Sequence, residues 1–212
     1  TFLDQVIMPT PAAVLKAAEL LAKGTSQERG WGELMVLDPG GATTDVYSIA
    51  EGSPTKAGIT LKGLQEPFSK RTVEGDLGMR HSCEVLFETA KERGIEGSTT
   101  KKFAKYLRLI SHNPSYLPQT SEEKSWDSIL GKLAIDIATQ RHVGHLEVVY
   151  TPFGASYLQY GKDLTGIKHV VGTGGILINN ENPLELMETT VFKEGEGTVL
   201  KPLKPHFWLD RR

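Results

Sequence analysis

The spacing of apolar residues divides the chain into segments with a period near 3.6 and segments with a period of two or an unbroken apolar run. The first pattern is typical of amphipathic helices and the second of strands. Helices are predicted over residues 12–23, 76–93, 101–111, 121–143 and about 183–190. Strands are predicted over residues 33–37, 44–49, 56–64, 147–151, 156–160 and 167–171. This order of elements predicts an α/β fold.

Turn signals indicate how the predicted strands are connected. Gly40 and Gly41 separate the first two strands, and a turn at 51–54 lets strand 56–64 return beside them, so three antiparallel strands are expected. Strands 147–151 and 156–160 are expected to pair as a hairpin. The prediction is a mixed sheet with an antiparallel hairpin edge and flanking helices.

The ends of the predicted helices carry their own signals. Thr10 is a hydroxyl cap followed by Pro11 at the first helical position, and Gly24 ends that helix. Ser121 is the predicted cap of the long helix at 121–143. The apolar stripe of that helix is predicted to pack in the core and consists of Trp126, Leu130, Leu133 and Ile137.

Composition and charge narrow the range of partners. The chain has 212 residues, 39% hydrophobic and 24% charged, and its formal net charge of −2 argues against nucleic acid or an anionic membrane as a partner. Cys83 is the only cysteine, which excludes an internal disulfide and predicts a cytoplasmic protein. No apolar segment approaches the roughly 20 residues of a membrane helix. A start at Thr1 and an aromatic pair, Phe207 and Trp208, near the other end are expected of a piece of a longer protein.

Two glycine-rich turns follow predicted strands and carry candidate chemistry. The first runs from Asp38 to Asp45, and the second covers residues 172–175. Because glycine lets a backbone approach a ligand closely, consecutive amide groups in such turns can face phosphate oxygens. The carboxylates of Asp38 and Asp45 are ligands that Mg²⁺ accepts. Together the turns predict two walls of a nucleotide cleft, although residues 38–45 alone are equally typical of a simple hairpin turn.

The first turn resembles the second phosphate motif of the actin, DnaK-type chaperone and sugar-kinase ATPase superfamily. Residues 9–18 are similar to the connecting helix of that superfamily, and residues 171–175 to its adenosine motif. Residues 74–76 resemble the glycine-acidic turn that these proteins place beside the nucleotide. Pro39 stands where superfamily members usually carry an aliphatic residue, which removes one backbone donor but leaves the amides of residues 41–44.

This resemblance implies ATP or ADP and Mg²⁺ as cofactors, a catalytic role for Asp38, and metal binding by Asp38 and Asp45. The implied nucleotide-binding residues are Gly40, Gly41, Ala42, Thr43, Thr44, Glu74, Gly75, Asp76, Gly172, Thr173, Gly174 and Gly175. It also implies that residues 1–212 form one actin-like (ribonuclease H-like) ATPase lobe, with a connecting helix at 10–24, an inserted helical segment at about 98–145 and the first lobe absent.

A more specific resemblance covers nearly the whole chain. Residues 41–48, 71–80, 161–165 and 172–179 are similar to the MutL family associated with clostridial glutamate mutase, which is unrelated to the mismatch-repair protein of that name. It implies an ATP-dependent, chaperone-like accessory protein, a reactivase for adenosylcobalamin-dependent glutamate mutase or a related cobalamin-dependent mutase. Two alternatives stay open on the same fold: a small-molecule kinase, and a non-catalytic module in which nucleotide only sets conformation.

Two further groups of residues have an expected structural explanation. His142 and His145 are spaced like a metal pair but lack an evident third ligand, and Cys83 falls on the apolar face of its helix. Arg71 and Arg80 flank the acidic turn at 74–76 and are expected to pair with it, with phosphate or adenine contact as the alternative.

The inserted helical segment near 98–145 is expected to help contact the mutase. It carries a basic helix face, which is expected to be exposed to solvent. That face consists of Lys101, Lys102, Lys105 and Arg108. Tyr116, Leu117 and Trp126 are the candidate apolar part of that contact, although Trp126 is also expected to anchor the helices on the sheet.

Overall fold

Eight strands in two sheets form the framework of the computed structural model over its described residues, 8–95, 100–152 and 154–210. The strands are β1 (Leu34–Pro39), β2 (Thr44–Ile49), β3 (Ile59–Leu61), β4 (Ser69–Glu74), β5 (His145–Thr151), β6 (Gly154–Tyr160), β7 (His169–Gly172) and β8 (His206–Leu209). The helices are α1 (Thr10–Lys23), α2 (Cys83–Glu92), α3 (Lys101–His112), α4 (Ser121–His142), α5 (Gly175–Asn179) and α6 (Pro183–Met187). The fold is mixed α/β with helices flanking a mixed sheet, as predicted.

The larger sheet has the strand order β4-β2-β1-β7-β8. β4, β2 and β1 are antiparallel to one another, whereas β1, β7 and β8 are parallel. The register places Asp38 opposite Asp45 on the β1–β2 pair and Leu37 beside Gly172 on the β1–β7 pair. The two glycine-rich turns therefore leave the sheet at the same edge, the one formed by the carboxyl ends of β1 and β7.

Alternation along β1 sends side chains into two separate cores. Met35 and Leu37 belong to the larger core, which α2, α3 and α4 cover, while Leu34 and Val36 belong to a smaller core against α1. The amide of Trp31 donates to the Leu21 carbonyl at 3.0 Å, which holds the end of α1 beside the start of β1. α1 thus runs antiparallel to β1, and its first turn points toward the edge where the glycine-rich turns lie.

The smaller sheet has the order β3-β6-β5, with β3 parallel to β6 and β6 antiparallel to β5. The predicted hairpin is confirmed, with Val148 opposite Tyr157. The predicted strand 56–64 was wrong in extent and in partner, because only Ile59–Leu61 is extended and it pairs with β6. The position beside β2 belongs to β4, which the sequence analysis missed. A period of two fixes which side chains share a face but not which strand lies alongside.

Several predicted helix ends were wrong by one residue or more. Pro9 is the N-cap of α1, and Thr10 is its first helical residue. α4 is capped by Thr120, not Ser121, because Thr120 and Glu123 form a reciprocal capping box. The predicted helix 76–93 begins only at Cys83, after a 3₁₀ turn at Gly75–Leu77.

In the second half of the chain, one helix is shorter than predicted and two elements were not predicted. The predicted helix at 183–190 is α6 followed by a 3₁₀ turn at Glu188–Thr190. α5 and β8 were not predicted. β8 pairs with β7, with Trp208 beside Val171, so the aromatic residues near the end of the chain belong to an edge strand.

The helices of the predicted insertion form one layer of the fold. α4 packs against β1, β2 and β4 and contributes much of the larger core. Trp126 is 8% exposed and stacks on Phe103 with 5.3 Å between ring centroids, so its predicted surface role was wrong and its anchoring role is confirmed. The basic face of α3 is solvated as predicted. Residues 98 and 99 of the predicted segment lie outside the described residues.

A buried lysine joins the end of the chain to α4. Lys201 is 0% exposed, and its Nζ lies 2.6 Å from Asp136 Oδ1 and 2.9 Å from Glu196 Oε1. Arg93 completes the surroundings of Asp136 with a contact of 2.6 Å. Since a buried cation needs a carboxylate and hydrogen bonds around it, this cluster fixes the segment before β8 onto the helix layer.

Candidate functional site

The two glycine-rich turns lie in contact at the edge where β1 and β7 end. The Thr173 amide donates to the Leu37 carbonyl at 2.9 Å, which joins the second turn to the end of β1. A Cβ atom on Gly174 would lie 2.8 Å from Asp38 Oδ1 and 2.9 Å from the Pro39 carbonyl oxygen. Gly174 also has φ +91°, which favours glycine. This position admits only glycine because the first turn is directly alongside.

The first turn presents backbone donors to solvent. The Gly40 amide donates to the Thr43 carbonyl at 2.8 Å, whereas the amides of Gly41, Ala42 and Thr43 donate to no acceptor within the described part of the chain. Gly41 and Ala42 are exposed. The turn is braced from behind, since the Arg80 amide donates to the Gly41 carbonyl at 2.8 Å. Consecutive free amides on a fixed loop form a binding site for an anion.

The two carboxylates of the site have different surroundings. Asp45 is 6% exposed, and its Oδ1 accepts from the Arg71 guanidinium at 2.9 and 3.1 Å while its Oδ2 accepts from the Thr43 hydroxyl at 3.1 Å. Asp38 lies opposite Asp45 and is partly buried. Burial and then the neighbouring Asp45 raise the pKa of Asp38, and the Arg71 charge opposes this shift. Arg71 was expected to pair with Glu74 or Asp76, and that prediction was wrong.

A buried hydroxyl accompanies the carboxylates. Tyr47 is 0% exposed, and its hydroxyl has no hydrogen-bond partner within the described residues. Burial, followed by the charge of Asp45, raises the pKa of Tyr47 to about 12. The Arg71 guanidinium carbon lies 5.8 Å from the centroid of the Tyr47 ring. Asp38, Asp45 and Tyr47 therefore form one oxygen-rich group beside the first turn.

Asp38 and Asp45 are the residues of this site that could hold a metal ion. No group of three or more His, Cys, Asp or Glu side chains suited to a metal occurs in residues 8–95, 100–152 and 154–210. Mg²⁺ commonly uses one or two carboxylates and completes its shell with phosphate and water. Asp38 and Asp45 supply that number of carboxylates, so the donor set suits a nucleotide-bound ion better than an ion held by protein alone.

The acidic turn at 74–76 lies behind the first turn and faces another cation. Arg141 Nη1 lies 2.6 Å from Glu74 Oε2 and 2.7 Å from Asp76 Oδ1. Hydrogen bonds from Arg141 lower the pKa of Asp76. Thr44 is buried and donates its hydroxyl to the Leu77 carbonyl at 2.8 Å. Thr44 thereby supports the turn, and Glu74 and Asp76 of the predicted site pair with Arg141 on α4.

A cavity of about 760 Å³ adjoins both glycine-rich turns. Its lining includes Gly40, Gly41 and Gly175 from the predicted site and extends along α4 to the segment between α5 and α6. The volume falls in the usual range of small-molecule and cofactor sites, about 300–1,000 Å³. Gly172 is not part of it, because a Cβ atom there would meet Leu177 and Met187 at 2.8 Å. That glycine permits close packing of α5 and α6 on the sheet.

Polar residues on α4 complete the cavity, and the sequence analysis missed them. Lys124, Ser128 and Lys132 recur every four residues and form one polar face of the helix. Asn180 donates to the Ser128 hydroxyl at 2.9 Å. Lys124 pairs with Glu181 at 2.7 Å, and Lys132 pairs with Glu185 at 2.6 Å. The four-residue spacing opposite the Trp126 stripe was a signal that could have identified this face.

Arg80 forms part of the cavity wall and is held rigidly. Its guanidinium donates to both carboxylate oxygens of Asp127, at 2.7 and 3.2 Å. The Tyr106 hydroxyl donates to Asp127 at 2.7 Å. The predicted pairing of Arg80 with Glu74 or Asp76 was wrong. Because Asp127 uses both oxygens on buried neighbours, Arg80 contributes fixed positive charge beside Gly41.

Comparison with known proteins assigns the family. The family model described as MutL protein matches residues 1–212. The chain belongs to the MutL family. A curated MutL relative from Clostridium tetanomorphum, named Protein MutL, is 46% identical over 222 aligned positions. The alignment covers 100% of this chain and 46% of that relative, so this MutL chain spans about half the relative's length. The predicted resemblance to the MutL family is thereby confirmed.

Other residues singled out in this MutL chain have structural roles. His142 is 0% exposed and hydrogen-bonds Thr72 and Ser48 at 2.8 Å, while His145 is exposed and stacks on Tyr160. Cys83 is buried, as predicted, and burial raises the pKa of its thiol. None of the helices in the described ranges is long and apolar enough to cross a membrane.

Proposed function

We propose that this chain is the nucleotide-binding lobe of an ATPase-type accessory protein that reactivates adenosylcobalamin-dependent glutamate mutase or a related mutase. The contact between two glycine-rich turns beside a 760 Å³ cavity carries the nucleotide part of this proposal. Membership of the MutL family, together with the resemblance of residues 41–48 and 71–80, carries the choice of client.

The arrangement of the larger sheet supports an actin-like lobe. Its first three strands in the chain are antiparallel neighbours, and β7 and β8 then add in parallel on the other side of β1. Ligands of α/β sheets bind beyond the carboxyl ends of strands, where the topology changes direction. β1 and β7 flank that position, since the chain adds β2 and β4 on one side of β1 and then β7 and β8 on the other.

The site residues divide between the parts of ATP. The free amides of Gly41, Ala42 and Thr43 face the phosphates, and the fixed charge of Arg80 lies next to them. The adenosine lies in the cavity against Gly175 and the polar face of α4 that carries Lys124, Ser128 and Lys132. Apolar surface in that cavity comes from Met79, Ile129 and Ile176.

Asp38 and Asp45 hold the magnesium ion of the nucleotide in this proposal. When bound, Mg²⁺ supplies positive charge that stabilises phosphoryl transfer. Asp38, which has no partner side chain among the described residues, accepts hydrogen bonds from the water that attacks the terminal phosphate. Nucleotide state then biases closure of this lobe against the remaining half of the protein, and closure acts on the mutase.

Glycine variants of the intact protein test the nucleotide site. Gly41→Val and Gly175→Val are chosen because neither residue has a positive φ and neither added Cβ meets an atom closer than 3.4 Å, so the fold is retained. Both variants should weaken ATP binding in calorimetry, because the new side chains project into ligand space. Gly166→Val, at an open position before β7, is the matched control. Unchanged affinity in both site variants contradicts the assignment.

A reactivation assay tests the client. Glutamate mutase is inactivated with its cofactor damaged in place, and intact protein, ATP, magnesium and fresh adenosylcobalamin are added. Recovery of mutase activity is expected only with hydrolysable ATP. Phosphate transfer to an added small-molecule acceptor instead identifies a kinase, and nucleotide binding without turnover identifies a non-catalytic module. Failure to recover any mutase of this class refutes the reactivase role.

A further inference from the structure

Arg71 occupies the carboxylate that the proposed function assigns to a metal ion. Its Nε and Nη2 atoms lie 3.1 and 2.9 Å from Asp45 Oδ1, and the Thr43 hydroxyl donates to Oδ2 at 3.1 Å. Both carboxylate oxygens therefore already accept hydrogen bonds. Oδ1 has no lone pair left for a divalent cation, and a cation on Oδ2 would lie beside the guanidinium charge.

The charges around this pair explain why a cation is needed there at all. Asp38 and Asp45 face each other across the β1–β2 pair, and like charges directly opposite each other destabilise a sheet. Arg71 is the cation whose charge acts on Asp38, Asp45 and Tyr47 together. In the absence of metal, the guanidinium offsets the repulsion between the two carboxylates.

Arg71 is also the more exposed of the two arginines at this site. Its side chain is 31% exposed, and its contacts are Asp45 and the ring of Tyr47. The Arg80 side chain, by comparison, is 13% exposed, and both of its Nη atoms donate hydrogen bonds to Asp127. Rotation of Arg71 into solvent would release Asp45 without disturbing β4, which the ladder to β2 holds in place.

We infer that Arg71 is a latch on the metal site: its guanidinium and a divalent cation bind Asp45 in mutually exclusive states. This inference rests on the proposed nucleotide function and adds a regulatory step to it. Metal arriving with the nucleotide displaces Arg71 from Asp45, and departure of the metal lets the pair re-form. The empty site thereby keeps its carboxylates paired, and affinity for metal without nucleotide is held down.

The test uses Mn²⁺ as the probe and the intact protein with Arg71→Gln, which removes the charge but keeps a polar side chain. Mn²⁺ affinity is measured by calorimetry with and without saturating ADP. Loss of the competing cation should tighten Mn²⁺ binding about three- to tenfold. Arg108→Gln, at an exposed cation on α3, changes the net charge equally and should leave Mn²⁺ affinity unchanged.

The outcomes separate the latch from the function on which it rests. Weaker Mn²⁺ binding by Arg71→Gln would show that Arg71 supports the metal site, and it overturns the latch. Unchanged Mn²⁺ binding also overturns the latch. A crystal structure with Mn²⁺ and ADP in which Arg71 stays within 4 Å of Asp45 overturns it too. Absence of both ADP and Mn²⁺ binding by the unmodified protein overturns the nucleotide function, and the latch fails with it.

Discussion

Asp38 and Asp45 lie opposite each other on paired strands but have different neighbours. Asp45 is buried and held by Arg71 and Thr43, whereas burial raises the pKa of Asp38 and no described side chain holds it. The sequence indicated both carboxylates, because their spacing around a glycine turn is visible in the chain. It did not indicate their partners, because Arg71 comes from β4, a strand that its own pattern did not reveal.

The proposed role of Asp38 leads to a prediction at this scale. Asp38→Asn in the intact protein should lower ATP turnover by about 100-fold or more, since general acid–base groups contribute roughly 10²–10⁴-fold. Nucleotide affinity should change much less, because the amides of the first turn are retained. Steady-state phosphate release and calorimetry compare the two quantities, with Glu84→Gln on α2 as an exposed carboxylate control. Wild-type turnover in Asp38→Asn would place the catalytic role elsewhere.

Elements differ in how far local sequence determines them. β2 and the β5–β6 hairpin follow from alternation and turn residues within a few positions. β4 and β8 depend on neighbours that are distant in the chain, so a local pattern cannot identify them. α4 is long enough for its stripe to be evident, but its start is decided by which hydroxyl reaches a free amide, and Thr120 and Ser121 both qualify by residue type.

The capping box of α4 gives a matched pair of variants. The Thr120 hydroxyl accepts from the Glu123 amide at 3.2 Å, and Glu123 accepts from the Thr120 amide at 3.1 Å. Thr120→Ala should lower the free energy of unfolding by about 0.5–2 kcal/mol, as is usual for loss of an N-cap. Ser121→Ala should have little effect, since Ser121 is the first helical residue and is exposed. Urea unfolding of both variants distinguishes the two, and equal losses would contradict the assigned cap.

The last residue of α4 makes the stability of the fold depend on pH. Burial, with the nearby Lys70 and Lys162 charges, lowers the pKa of His142 well below 6.5. Near pH 6.5, therefore, His142 binds a proton in the unfolded chain but not in the folded chain. The free energy of unfolding falls as the pH drops below that value.

Unfolding measurements between pH 7.5 and 5.5 test this dependence. The contribution of His142 approaches a slope of about 1.4 kcal/mol per pH unit at the acidic end. The His142→Gln variant should lose this part of the pH dependence, whether or not the substitution itself changes the free energy of unfolding. His112→Gln, at an exposed histidine on α3, should keep it. A slope that persists undiminished in His142→Gln would assign the proton to another group.

At the scale of the whole molecule, the proposed nucleotide site opens to solvent on one side. The cavity is lined by the first turn, α4 and the α5–α6 segment, and the chain spans about half the length of its MutL relative. The sequence predicted the α/β class and the meeting of the two turns, since both depend on strands with strong local patterns. The side of the cavity that α4 and the α5–α6 segment form was not predicted, because the relative positions of those helices are set by packing.

This openness predicts that residues 1–212 alone bind ATP weakly and hydrolyse it negligibly. Phosphoryl transfer needs charge stabilisation in a site from which water is excluded, and one wall cannot exclude it. Calorimetry and phosphate release on this segment and on the intact protein make the comparison. Comparable turnover in both would show that the catalytic site is complete within these residues, and the two-lobe proposal would fail.

The buried contact between Lys201 and Asp136 has a consequence for biosynthesis. The ribosome makes Asp136 first, and Lys201 follows 65 residues later. During that interval Asp136 has Arg93 beside it but lacks its buried partner, and β8 has not yet joined the sheet. The helix layer is therefore closed only near the end of translation of this segment. Nascent chains arrested before residue 196 should leave α4 sensitive to protease, and protection of α4 at that length would show that the layer closes without Lys201.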